Sequence, residues 1–176
     1  MENKKIFVLI PPAVGHVNPT CGLMSELAKK CTVIAFCDSE FESCIRKTGA
    51  LFTPYSSPTR QLFAQILKCI EKKRREEMLR HCIELTHRTL PQLLIECVSR
   101  SPDIIVYDNF FIPAKYLVKI LAKLDMAVKM IMFSPNIPVT SVPNKSTLLD
   151  KGRKLVNRVC CLLNYKKIRN KKIYVY

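Results

Sequence analysis

The sequence predicts an α/β domain built on an open parallel sheet with helices on both faces. Two observations carry this expectation. Short continuous apolar runs, the pattern of strands buried on both faces, recur along the chain. Stretches with helical spacing separate them, as the crossovers between parallel strands require. At 176 residues the chain suits one domain with a substantial core.

The first strand is expected in "KIFVLI", ending at Ile10. The loop "PPAVGHVNP" follows. Asn18 and Pro19 form a helix-start pair, a side-chain cap before a residue that has no N–H to satisfy. That helix should bury Leu23, Met24, Leu27 and Ala28 and end near Lys30. A second strand, Thr32 to Cys37, precedes Asp38 and Ser39 as candidate caps of a short helix. Gly49 stands where a left-handed residue would close that helix. A third strand is expected over Ala50 to Tyr55.

From Gln61 to Ser99 the pattern is helical, and Pro91 is expected to break or kink it. Asp103 to Asp108 reads as a fourth strand, Pro113 to Leu124 as a helix and Val128 to Ser134 as a fifth strand. A last helix is expected near Leu148 to Leu163, before an irregular basic ending. The whole reads as a Rossmann-like domain over residues 1–150 and a basic helix or tail over 151–176.

Hydrophobic residues make up 48% and charged residues 24% of the chain, an ordinary globular balance that argues against disorder. No apolar run approaches a membrane span or a signal segment, so the expected compartment is the cytoplasm. The nine cysteines are scattered, odd in number and without a C-x-x-C pair. They read as packed thiols rather than metal ligands, and the vicinal Cys160 and Cys161 read the same way. The net charge of +15 is concentrated: nine of the 29 basic residues lie from Lys151 onward, where no acidic residue occurs. Such an end suits an anionic membrane surface, whereas no aromatic-interleaved motif supports nucleic-acid binding.

Two residues stand out for chemistry. His16 follows the first strand and Asp108 closes the fourth, so both belong at the carboxyl edge of the sheet. In the common strand order 3-2-1-4-5 those strands are neighbours at the point where the order reverses, and ligands bind there. A histidine whose far ring nitrogen is held by a carboxylate is a usable base. The plainer alternatives are a histidine bonded to backbone and an aspartate capping the next helix. His81 and His87 read as surface or packed residues of a helix. No G-x-G-x-x-G, P-loop, H-E-x-x-H or G-x-S-x-G motif is present, which disfavours dinucleotide enzymes, P-loop ATPases and serine hydrolases.

The run "GHVNPTCGLMSELAKKCTVIAFCDSEFESCIRKTGALFTPY" and the later "PDIIVYDNF" resemble the amino-terminal half of UDP-glycosyltransferases of the macrolide and glucuronosyl type. The resemblance covers roughly Lys4 to Ser134. It implies the acceptor-binding half of a GT-B fold, with His16 as general base and Asp108 as its orienting carboxylate. It further implies that Gly15, Val17, Asn109 and Phe110 border a small hydroxylated lipophilic acceptor, with Gly15 allowing a tight backbone there. The donor would be a UDP-sugar, and no tightly bound cofactor or metal is expected. The regions Pro54 to Thr86 and Pro135 to Leu149 would set acceptor selectivity.

The family's second, donor-binding domain has no counterpart in the sequence. The chain is therefore expected to be an incomplete hexosyltransferase, truncated or one part of a longer enzyme, and to act when a donor-binding domain completes it. The alternative is a noncatalytic subunit that docks a separate donor-binding chain.

Overall fold

The computed structural model describes residues 4–134. The expected last helix, the basic segment 151–176, Cys160, Cys161 and the Pro135 to Leu149 region lie outside the described residues. The strands are β1 (Lys5–Leu9), β2 (Thr32–Cys37), β3 (Leu51–Pro54), β4 (Ile104–Asp108) and β5 (Lys129–Phe133). The helices are α1 (Val14–Ala28), α2 (Glu42–Arg46), α3 (Arg60–Glu71), α4 (Arg75–Arg100) and α5 (Ile112–Lys123), with a 3-10 turn over Ser39–Phe41. All strand pairs are parallel, and the order is β3-β2-β1-β4-β5, as expected.

Alternation along each strand divides the core. Ile6, Val8 and Ile10 of the β1 segment, Val33 and Ala35 of β2 and Ile104 and Val106 of β4 face α1, where Val17, Leu23, Met24 and Leu27 pack on them. Phe7, Leu9, Ile34, Phe36 and Ile105 face the other way, against Leu93 and Cys97 of α4 and Ala114, Leu117 and Leu121 of α5. Each such fully buried large apolar side chain contributes about 1.5–3 kcal/mol. A third cluster joins Leu62, Phe63 and Ile66 of α3 to Cys82 and Leu85 of α4, with Ala13, Phe110 and Ile112 packed against it. The α3–α4 hairpin therefore reaches the carboxyl edge of the sheet.

Three expectations are corrected. Helix α1 begins at Val14, not Asn18, and carries Pro19 inside it. Asn18 and Pro19 are exposed, so the carbonyl that the proline leaves without a donor, that of Gly15, is itself on an exposed residue. Of the break or kink expected at Pro91, the break does not occur: Pro91 lies within α4 without ending it. It too is exposed, while Leu85, Thr89, Leu93 and Cys97 hold the opposite, buried stripe together.

The break falls instead at Lys73, whose φ of 55° is left-handed. Arg74 N–H donates to the Cys69 carbonyl at 2.9 Å and Lys73 N–H to that of Ile70 at 3.1 Å, the paired bonds of a Schellman ending. Finally, Asp38 does not cap the short helix that follows it. Its carboxylate accepts the Thr59 N–H, the Thr59 hydroxyl and the Arg60 N–H at 2.6–2.8 Å, closing the start of α3 from 21 residues away. Gly49 is left-handed as expected, with φ of 84°.

Candidate functional site

The exit of β1 is fixed first. Ile10 N–H donates to the Phe36 carbonyl, and the buried Tyr55 hydroxyl donates to the Ile10 carbonyl at 3.1 Å. Burial foremost, then the neighbouring Cys37 and Asp38, hold that phenol well above its usual range, so it remains a donor. Pro11 and Pro12, both buried, turn the chain, and α1 starts after Ala13. His16 is thus in the first turn of the helix rather than in a loop.

Asp108 is the last residue of β4, whose register on β1 pairs Leu9 with Tyr107. By alternation it falls on the same side as Ile104 and Val106, the α1 side. One residue of slippage would turn it to the opposite face. His16 Nδ1 lies 2.8 Å from Asp108 Oδ2, and both residues are buried. The second carboxylate oxygen, Oδ1, accepts the Phe110 N–H at 2.8 Å, which fixes the carboxylate plane.

With Nδ1–H donated to Asp108, Nε2 carries the lone pair. Two aromatic rings meet the imidazole edge-on, Phe63 at 5.5 Å and Phe110 at 5.4 Å between centroids. The His16 side chain keeps 9% of its surface, so the ring is largely enclosed by its neighbours. Thr20 donates its hydroxyl to the His16 carbonyl at 2.7 Å, holding the turn beneath the ring.

The other expected site residues divide. Phe110 lies against the imidazole, and Asn109 adjoins it, with its N–H on the Phe133 carbonyl. The Asn109 side-chain oxygen is buried without a hydrogen-bond partner among the described residues. Gly15 is exposed on α1, and a Cβ there would meet nothing within 4 Å. No protein atom among the described residues crowds that position. Val17 is fully buried in the core on the α1 face, so its side chain offers no surface to a ligand.

Phe63 was missed. It belongs to an amphipathic helix, and no local pattern distinguishes an aromatic packed on a site from one packed on a core.

Seven of the cysteines are described, all as free thiols. Burial, followed by Glu96, raises the Cys97 thiol to about 12, and burial, followed by Cys44, raises that of Cys21 to about 11. Neither is a poised nucleophile.

No protein-family profile matches the chain. It is 29% identical over 121 residues to NDP-glycosyltransferase YjiC of Bacillus licheniformis, covering 66% of this chain and 30% of that protein. The glycosyltransferase SsfS6 of Streptomyces sp. SF2575, solved with thymidine diphosphate, superposes with a TM-score of 0.57 at 15% identity, over 96% of this chain and 47% of that one. Spinosyn rhamnosyltransferase SpnG, solved with spinosyn aglycone, gives 0.55 at 16% identity, over 91% and 41%. At such identities the structural likeness is one of fold. The chain spans about a third of the curated relative's length and under half of these two solved chains. The chain has the fold of the amino-terminal domain of a GT-B glycosyltransferase.

Proposed function

We propose that this chain supplies the acceptor half of a nucleotide-sugar-dependent glycosyltransferase, with His16 as general base and Asp108 as its positioning residue. The observation that carries the reading is the buried 2.8 Å contact between His16 Nδ1 and Asp108 Oδ2. It leaves Nε2 as the basic nitrogen. The likeness to an NDP-glycosyltransferase supports the same reaction class.

In the proposed step an acceptor hydroxyl loses its proton to Nε2 as its oxygen bonds to the anomeric carbon. The bond from that carbon to the diphosphate oxygen breaks, the nucleoside diphosphate leaves with the electron pair, and the carbon is inverted. The imidazolium is stabilised by Asp108, which remains ionised. The edge-on rings of Phe63 and Phe110 favour a small, largely apolar acceptor carrying one reactive hydroxyl. Asn109, Phe110 and Gly15 stay in the reading as acceptor-bordering residues, and Val17 leaves it. The donor is taken as a UDP-sugar, held by a donor-binding domain or subunit.

The test is transfer from UDP-glucose to a small hydroxylated lipophile, by the chain alone and with a separately supplied GT-B donor domain. Transfer in the complemented sample that disappears with His16→Ala is expected. Transfer that survives this substitution would overturn the assignment. Stable association without transfer would instead favour a noncatalytic docking subunit.

A further inference from the structure

The turn between α3 and α4 assembles a second group of chemically active side chains, remote from His16 in sequence and unconnected with the proposed reaction. Cys69 lies in the last turn of α3, and Glu77 and His81 lie one turn apart near the start of α4, on one face. The Schellman bonds at Lys73 and Arg74, one of them to the carbonyl of Cys69 itself, fold the two helix ends back on each other. As a result the Cys69 sulfur, a Glu77 carboxylate oxygen and a His81 ring nitrogen all lie within 4.8 Å of one another. We propose that Cys69, Glu77 and His81 form a zinc-binding site that clips the α3–α4 hairpin.

The donor set selects the metal. One thiolate, one imidazole and one carboxylate are the ligands zinc takes, whereas calcium and magnesium demand oxygen. Bonds of about 2.3 Å to sulfur and about 2.0–2.2 Å to nitrogen and oxygen place tetrahedral ligand atoms about 3.4–3.6 Å apart. Side-chain rotation of roughly an ångström closes the group to that size.

Burial is graded across the three: Cys69 is buried, His81 half-buried and Glu77 exposed. The fourth position therefore faces solvent and takes water. Thiolate and carboxylate together balance the charge of the ion, and the thiol proton passes to solvent on binding.

Two neighbours bear on the site. Arg74 Nη1 sits 3.2 Å from Glu77 Oε2, a pair exposed on both sides that contributes little and yields to the metal. The basic turn Lys72 to Arg75 opposes a free cation, so binding rests on the two anionic ligands, thiolate and carboxylate. The sequence pattern C-x7-E-x3-H matches no familiar zinc spacing, because the ligands are gathered across a helical hairpin and not within one loop.

The experiment uses the full chain under reductant, titrated with Zn(II) against a chelating dye and with Co(II) followed by absorption. One equivalent of zinc, a thiolate-to-cobalt charge-transfer band and a zinc-dependent rise in Tm are expected. Cys69→Ser should abolish the band and weaken zinc at least tenfold, while Cys82→Ser should leave both unchanged. His81→Gln alters a half-buried residue and should also weaken zinc at least tenfold. It decides the matter if circular dichroism shows that Cys69→Ser does not fold. Absence of stoichiometric binding, or binding unchanged in folded His81→Gln, would overturn the proposal, the latter by assigning zinc to other cysteines.

Discussion

Asp38 and Asp108 occupy equivalent places, at the carboxyl ends of β2 and β4, and both are buried. The Asp38 carboxylate places its three hydrogen bonds on the beginning of α3, as a cap supplied from a distance. The Asp108 carboxylate accepts one backbone N–H and gives its other oxygen to an imidazole. The difference lies in what stands opposite. Beside β2 the nearest unsatisfied donors are those of a helix terminus, while beside β4 the α1 helix presents His16. Position at a strand end makes a carboxylate available, and the facing element decides whether it is spent on backbone donors or on a side chain.

Conservative and truncating substitutions separate these roles. The largest effect is expected from Asp108→Asn in a complemented enzyme: a loss of about 10²–10⁴ in kcat/KM, measured by transfer to a hydroxylated acceptor, because the imidazolium loses its counter-charge. The corresponding Asp38→Asn should change transfer little. If both substitutions depress transfer equally, the distinction between the two carboxylates collapses.

Next in size, Asp38→Ala should lower stability by about 2–3 kcal/mol in urea unfolding, since it orphans buried donors at the start of α3. A stability loss no larger than that of an ordinary surface change would show that Thr59 and Arg60 find other partners. Gly49→Ala should cost about 1–2 kcal/mol through its left-handed backbone, by the same measurement, and leave both carboxylate sites intact.

The smallest effect sharpens the comparison from the opposite edge of the sheet. Asp103, just ahead of β4, is only partly buried. Burial raises its pKa, but hydrogen bonds from the Lys4 ammonium and Lys5 N–H, with the charges of both lysines, outweigh it and hold the carboxyl below the ordinary value. A carboxyl depressed in the folded state contributes stability above its unfolded pKa and loses it as pH falls through the folded one. More than a third of the Asp103 side chain is exposed, so the contribution should stay below about 1 kcal/mol. Lys4→Ala should flatten this acid limb of the stability–pH curve.

Much of the architecture was legible because strand signals here are local. β2 occupies the expected residues, and the parallel order follows from alternating strands and helices. The pairing of His16 with Asp108 was legible for the same reason, since strand order alone makes β1 and β4 neighbours. What stayed hidden depended on tertiary choices. Pro19 carries a helix-start signal and Pro91 a breaking one, yet both lie within helices, on exposed faces while the opposite faces pack. The break occurs at Lys73, in a stretch whose composition suits a helix but offers nothing to bury between Ile70 and Met78. Phe63 at the imidazole and Asp38 at α3 are contacts across long sequence separations, beyond any periodicity.

Helix α4 runs for 26 residues, about 39 Å, through two separate apolar assemblies. Its first half shares Cys82 and Leu85 with the hairpin, and its second half shares Leu93 and Cys97 with the sheet. Such a rod behaves as a stiff lever with two anchorages. Fraying at the hairpin need not loosen the sheet, so amide exchange along this one helix would report two folding units, fast near Arg75 and slow near Cys97.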